Sequence, residues 1–175
     1  CMRSQYPPSN SVVVVAGNVS HRETVELLET HLGDWPRRAP TAWLSVQDGQ
    51  TAPRLRVQRL HTEQAHLSLA FHGLPALHPQ RYALDLLSVI LGEGMSSRLF
   101  LELRENQGLV YDIGSSAIHL LDCGAFVISA GSDPRKAIQT LRSILGQLKL
   151  ISQYITPNEL RRSKELSKGR LLLRT

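Results

Sequence analysis

The chain has 175 residues, with 20 lysines and arginines against 15 aspartates and glutamates and a formal net charge of +5. A chain of this length can bury enough apolar surface to fold without a metal or a disulfide framework, and its two cysteines supply neither. No apolar run approaches the about 20 residues that span a bilayer, so no membrane span is expected. The basic residues are scattered and not interleaved with aromatics, which disfavours nucleic-acid binding.

The first predicted element is a buried strand over Ser11 to Ala16, a β-branched run that ends before Gly17. Ser20 and Glu23 then form the pattern of a capping box, which predicts the start of an amphipathic helix. That helix carries apolar residues at Val25, Leu28 and Leu32 and is expected to stop at Gly33. Residues 34–53 contain three prolines and little periodicity, so we expect an internal loop.

The middle of the chain predicts two strands and two helices. The strands are expected at Arg54 to Leu60 and at Ala65 to His72. Pro79 is expected to open an amphipathic helix at its first position, and glycines at 92 and 94 break it. A shorter helix is expected from Ser97 to Asn106.

The last part predicts a hairpin followed by two helices. Its strands are expected at Val110 to Leu120 and Ala125 to Ala130, joined by the turn at 122–124. Asp133 before Pro134 predicts the start of a long amphipathic helix, and Thr156-Pro157-Asn158-Glu159 predicts a capping box at the start of a final basic helix.

Strands that come in pairs, with amphipathic helices between them, predict an α+β fold: a two-layer sandwich of a mostly antiparallel sheet with helices on one face. We expect one domain over residues 1–175. Cys1 stands before Met2 and Arg174-Thr175 ends a helical pattern, so we also expect that the chain is cut from a longer one. The expected core residues are Val13, Val15, Leu69, Leu87, Ile90, Val127 and Leu141.

Seven histidines raise the question of a metal site. An inverted zinc motif needs His-x-x-Glu-His on a helix. His61 and His66 are five residues apart on a strand-like pattern, so their side chains are expected to point to opposite faces. His72 and His78 flank a turn and could meet, but no third ligand is evident. We therefore predict no metal site and no cofactor in this segment.

Candidate nucleophiles and phosphate loops are equally weak. The sequence has no Gly-x-Ser-x-Gly elbow, and no base or helix terminus is evident near Cys123 to lower the pKa of its thiol. Gly92-Glu93-Gly94 follows a helix rather than a strand, which disfavours a phosphate-binding loop.

The stretch Gly92 to Ser115, GEGMSSRLFLELRENQGLVYDIGS, is the most informative part of the sequence. Its Ser-Ser-Arg-Leu-Phe and Leu-Arg-Glu-x-x-Gly-Leu-x-Tyr patterns resemble the second-domain signature of the pitrilysin/insulinase-like (mitochondrial-processing-peptidase-like) zinc peptidases. VVVVAGNV near the beginning, Glu63-Gln64-Ala65-His66 before LSLAFHGLP, and Thr156 to Leu160 fit the same family in the same order. The resemblance covers about Tyr6 to Leu173.

The resemblance implies a zinc-free, C-terminal-type domain of a metalloendopeptidase that encloses unfolded peptides in a chamber. Zinc is then expected in a missing first domain, in cis or on a partner subunit, and the parent is expected to be a homo- or heterodimer of halves. The resemblance also implies that Arg104 and Tyr111 hold the substrate; no residue of this segment is expected to be catalytic.

The residues themselves are compatible with that role, because a tight turn at Gly108 joins a helix end to a strand start and can bring two donors together. Both side chains can donate to a peptide carbonyl or to a developing oxyanion. The alternative is an arginine that caps a helix and a half-buried sheet tyrosine. Arg98, six residues before Arg104, is expected to face elsewhere and to be dispensable for cleavage.

Two other functions stay open: a catalytically inactive scaffold or core subunit of the same family, and a basic binding module. His-x-x-Glu-His upstream of Cys1 would favour the peptidase over the scaffold. The two cysteines form no disulfide framework, which suits a reducing compartment, so a soluble, cytoplasmic protein is the expectation.

Overall fold

The computed structural model describes residues 6–39 and 41–173, and its contacts divide the chain into two compact units, Cys1–Ser45 and Val46–Thr175. A single domain over 1–175, with an internal loop at 34–53, stays a prediction. Cys1 and residues 174–175, on which the expectation of a cut chain rested, lie outside the described residues.

The first unit contains a short 3-10 turn, Pro8–Asn10, and helix α1, His21–Leu32. Helix α1 follows Ser20 and ends before Gly33, as the sequence predicts, but the Ser20 side chain makes no capping hydrogen bond. Its carbonyl instead accepts from the Thr24 hydroxyl at 2.8 Å. The capping box predicted there is therefore wrong.

The strand predicted at Ser11 to Ala16 is absent from the structure. This segment has no regular hydrogen bonding, and Val13 and Val15 are 51% and 48% exposed, so their assignment to the core is wrong. A β-branched run becomes a strand only where a neighbouring strand satisfies its backbone groups, and no described strand pairs with this one. The strand predicted at Arg54 to Leu60 is absent for the same reason.

The described part of the second unit is built on a three-stranded antiparallel sheet with the spatial order β1–β3–β2. Its strands are β1 (Ala65–His72), β2 (Val110–His119) and β3 (Gly124–Ser132). Strands β2 and β3 form the predicted hairpin, which is closed by a bond of 2.9 Å from the Leu120 N–H to the Cys123 carbonyl.

The helices of this unit are α2 (Arg81–Gly92), a π-helix (Phe100–Asn106), α3 (Ala137–Gln153) and α4 (Pro157–Leu172). Helix α2 begins two residues after Pro79, the predicted start. At α4 the predicted capping box is present: the Thr156 hydroxyl accepts from the Glu159 N–H at 3.2 Å, and the Glu159 carboxylate accepts from the Thr156 N–H at 2.8 Å. The predicted α+β sandwich is confirmed.

One hydrophobic core lies between the sheet and the helices. Its fully buried members, Leu91, Leu99, Leu103, Ile128 and Ile144, each contribute about 1.5–3 kcal/mol relative to exposure. Ile90 is buried, and Leu69 and Leu87 pack against the cluster as predicted. The assignment of Val127 to the core is wrong. The register of β3 turns Phe126, Ile128 and Ala130 inward and Val127 to the opposite face.

Leu141 is only half-buried and lies outside the core cluster, so its assignment to the core is also wrong. Thr140 and Ile144 are the inward-facing residues of this part of α3. Within the described ranges, no helix has both the length and the apolar character needed to cross a bilayer.

Candidate functional site

Arg104 lies on the π-helix, near its C-terminal end. A π-helix has wider turns than an α-helix and is rare, and it occurs often at functional sites. The side chain of Arg104 is exposed, and its guanidinium carbon lies 5.0 Å from the centre of the Phe100 ring. This stacking limits the rotamers of the arginine while its donors stay open to solvent.

The turn after the π-helix is fixed by two backbone hydrogen bonds and by the conformation of Gly108. The Gln107 N–H donates to the Glu102 carbonyl at 3.0 Å, and the Leu109 N–H donates to the Leu103 carbonyl at 2.8 Å. Gly108 between them has φ +56°, the left-handed region that favours glycine. Because Leu103 and Leu109 are both buried, the turn is held to the core on both sides.

Tyr111 is the extra residue of a β-bulge at the start of β2. Val110 pairs with Ser132 and Asp112 pairs with Gly131, so Tyr111 has no partner position on β3. A bulge breaks the alternation of side chains and re-aims the residue that it contains. The Tyr111 side chain is 55% exposed. The structure thus places Arg104 and Tyr111 at the surface, on either side of an anchored turn.

Three residues that follow β3 adjoin this turn, namely Asp133, Arg135 and Lys136, and the sequence alone did not indicate their place there. Lys136 Nζ donates to the Gly108 carbonyl at 3.0 Å. The phenol of Tyr111 contributes, after the ion pair with Asp133, to raising the pKa of Arg135. The sequence marks Asp133 only as a helix start; the antiparallel register of β2 and β3 brings this segment beside Tyr111.

A network of side-chain hydrogen bonds also stabilises the turn. Glu102 accepts from the Gln107 amide at 2.6 Å and from Asn106 at 3.1 Å. These two bonds lower the pKa of Glu102. The Ser143 hydroxyl of α3 donates to Gln107 at 2.8 Å, which links the network to a second helix.

Arg98 is not a free surface residue, and its dispensability for cleavage stays a prediction. Its side chain is 12% exposed and pairs with Glu159, with Nε and Oε1 2.6 Å apart. Arg98 also donates to the Tyr154 carbonyl at 3.1 Å, and its guanidinium carbon lies 4.9 Å from the centre of the Tyr154 ring. Its surroundings are those of a structural residue.

The histidines do not converge. Among residues 6–39 and 41–173, no group of three or more His, Cys, Asp and Glu side chains is placed to hold a metal ion. His72 Nδ1 lies 2.6 Å from an Asp48 carboxylate oxygen, whereas His78 Nδ1 accepts from the Gln80 N–H. These side chains do not fit a zinc centre.

The remaining candidates have other partners. Desolvation, followed by the neighbouring Asp122, raises the pKa of the Cys123 thiol, which makes it a weak nucleophile. In the Gly92-Glu93-Gly94 segment, Glu93 accepts from the Ser88 hydroxyl at 2.9 Å and pairs with Arg170. Glu93 also lines a cavity of about 520 Å³ between α2 and α4, together with Arg161 and Arg162.

Comparison with known proteins gives a consistent result. The model of the family described as "Peptidase M16 inactive domain" matches residues 1–167. The chain is 35% identical over 175 residues to a Bacillus subtilis protein named "Uncharacterized zinc protease YmxG", a match that covers 98% of this chain and 42% of that protein. The chain thus spans about two fifths of the curated relatives that it matches.

Two solved structures extend the comparison. The crystal structure of a peptidase M16 inactive domain from Pseudomonas fluorescens is 27% identical, with a TM-score of 0.60 over 63% of this chain and 27% of that one. The crystal structure of a protease from Helicobacter pylori is also 27% identical, with a TM-score of 0.72 over 89% of this chain and 39% of that one.

Proposed function

Because the chain belongs to the M16 peptidase inactive-domain family, we propose that it is the substrate-binding domain of a zinc endopeptidase. In this proposal an unfolded peptide is held between this domain and a zinc-bearing domain, supplied by the same chain or by a partner. The relatives named zinc proteases support the presence of zinc in that other domain. The residues of this chain take part by binding and orienting the peptide.

The observation that carries the proposal is the anchored turn between Arg104 and Tyr111. A guanidinium and a phenol are both hydrogen-bond donors to oxygen. Here both are exposed, while the backbone that carries them is tied to buried leucines. Donors held in this way lose little conformational entropy when they bind, which favours their use on a ligand.

The proposed chemistry is hydrogen bonding to the carbonyl of the peptide bond that is cleaved. The carbonyl oxygen gains negative charge as the amide is attacked, so a donor that is already in place stabilises the transition state more than the bound substrate. Arg104 supplies a positive charge as well as N–H groups, and Tyr111 supplies a neutral O–H. Neither residue accepts or releases a proton in this scheme.

The test uses the full-length protein that contains this domain and its zinc-bearing domain. Arg104→Ala and Tyr111→Phe should each lower kcat by about 10²–10³, the usual loss when one such donor is removed. Matched controls are Arg142→Ala, an exposed arginine of α3, and Tyr6→Phe, whose ring is 59% exposed. Both controls should cleave at the wild-type rate.

Circular dichroism and thermal unfolding distinguish loss of function from loss of fold. Arg104 and Tyr111 are exposed, so both variants should melt close to the wild type. Wild-type cleavage by both variants would contradict the role proposed for Arg104 and Tyr111, whereas absence of cleavage by the wild-type full-length protein would favour an inactive scaffold. Loss of cleavage that only follows unfolding would make the pair structural.

A further inference from the structure

We propose that Arg135 is a third substrate-contacting residue, which binds a main-chain carbonyl of the peptide beside Tyr111. Asp133 pairs with Arg135 and thereby weakens the attraction of this arginine for acidic peptides. This inference rests on the proposed function, because it assumes that Tyr111 faces the peptide. It adds a residue and a specificity determinant that lie outside the signature stretch of the sequence.

The sheet register brings Arg135 to this place. Strand β3 ends at Ser132, which pairs with Val110, the residue before Tyr111. The turn Pro134–Lys136 therefore leaves the sheet at the end where Tyr111 enters it. Lys136 fixes this turn to the Gly108 carbonyl at 3.0 Å, three residues before Tyr111.

Asp133 holds the Arg135 side chain in one orientation. The Asp133 carboxylate accepts from the Arg135 backbone N–H at 2.8 Å, from Nε at 3.2 Å and from Nη2 at 2.8 Å. These bonds hold the pKa of Asp133 at about 2, so the carboxylate stays charged. An exposed arginine normally samples many rotamers, and these contacts favour one of them although the Arg135 side chain is 89% exposed.

The N–H groups of Arg135 that do not bind Asp133 are best suited to a neutral hydrogen-bond acceptor. Asp133 occupies Nε and one proton of Nη2, which leaves three N–H donors for a ligand. The ion pair has no net charge, so its attraction for a carboxylate is weaker than that of a free arginine, while its hydrogen bonds to a carbonyl remain. Main-chain carbonyls occur in every peptide, which makes this contact independent of side-chain sequence.

The test measures the binding of two fluorescently labelled, unstructured peptides to the full-length protein by anisotropy. The peptides differ only in that glutamines of the neutral one are glutamates in the acidic one. Arg135→Ala should raise Kd about fivefold to tenfold for both peptides, the loss of one hydrogen bond of about 1 kcal/mol or slightly more. Arg142→Ala is the matched control and should leave both Kd values unchanged.

Asp133→Asn tests the role of charge. Asparagine caps a helix start as well as aspartate does, so the turn should persist while the arginine becomes a free cation. The acidic peptide should then bind at least about fivefold more tightly relative to the neutral one, because a charged pair forms with the released guanidinium. Thermal unfolding checks that both variants are folded.

The outcomes separate the inference from the function on which it rests. Unchanged binding by Arg135→Ala, or equal changes for both peptides in Asp133→Asn, would overturn the inference. If Arg104→Ala and Tyr111→Phe lose cleavage while Arg135→Ala binds normally, only the inference fails. If those two variants cleave normally, the proposed function fails whatever Arg135 does.

Discussion

Arg98 and Glu159 are 61 residues apart in the sequence and form a two-point ion pair, with Nε–Oε1 and Nη2–Oε2 distances of 2.6 and 2.9 Å. The pair joins the turn before the π-helix to the first turn of α4. Glu159 also completes the capping box with Thr156, so one carboxylate fixes both elements. The segment that carries Arg104 is thereby attached to the last helix of the domain.

Replacement of Arg98 should destabilise the fold. Arg98→Ala removes both ion-pair contacts and leaves a partly buried carboxylate without its cation. We expect a loss of about 1–3 kcal/mol in the free energy of unfolding, less than for a fully buried pair because Glu159 is 26% exposed. Urea denaturation measures it. Arg142→Ala should change stability by less than about 0.5 kcal/mol, and equal losses for the two would contradict a structural role for Arg98.

The same pair should make stability sensitive to acid. The hydrogen bond from Arg98 is the largest cause that lowers the pKa of Glu159 from 4.5 to about 2. A lowered pKa in the folded state adds stability above pH 4.5, and that stability is lost as the pH falls towards 2. The wild type should therefore lose more unfolding free energy between pH 5 and 2 than Glu159→Gln. Parallel curves for the two proteins would disprove the assignment.

The contribution of His119 to folding stability should depend on pH in the opposite direction. Its Nδ1 lies 2.6 Å from the Leu74 carbonyl oxygen and its Nε2 lies 3.0 Å from an Asp85 carboxylate oxygen. Both partners accept hydrogen bonds, so both ring nitrogens must be protonated to satisfy them. The bond to Leu74, and then that to Asp85, raises the pKa of His119 above 6.5 against burial and the nearby Arg81.

A raised pKa stabilises the fold below pH 6.5, and this contribution is lost as the pH rises through the folded-state value. The stability difference between the wild type and His119→Asn should therefore be larger at pH 5.5 than at pH 9. Chemical denaturation at each pH measures the effect, and a difference independent of pH would refute the bridging role.

Two glycine-to-alanine changes should have opposite effects. At Gly108 the backbone is left-handed, with φ +56°, so Gly108→Ala should cost about 1–2 kcal/mol. Gly146 lies inside α3, and a Cβ there would meet no atom within 4 Å, so Gly146→Ala should add about 0.5–1 kcal/mol. Thermal unfolding compares the two, and a stabilising Gly108→Ala would show that the turn is not as described.

The sequence by itself determined the elements whose cause is local. The hairpin from Val110 to Ser132 and the capping box at Thr156 follow from turn and cap chemistry within a few residues. The resemblance of Gly92 to Ser115 to a family signature led to the family that the comparisons confirm. A local pattern could not decide whether the run at Val13 has a strand beside it, and none of the strands within residues 6–39 and 41–173 pairs with it.

Only the tertiary structure decided which residues adjoin Tyr111 and which face the core. The bulge at Tyr111 and the register of β3 depend on pairing between strands. Sequence spacing alone therefore led to the wrong assignment of Val127 to the core. Arg98 illustrates the same limit, because its partner Glu159 lies on another helix. The place of Arg135 beside the site likewise follows from strand pairing, because contacts between distant segments depend on how the chain packs and not on neighbouring residues.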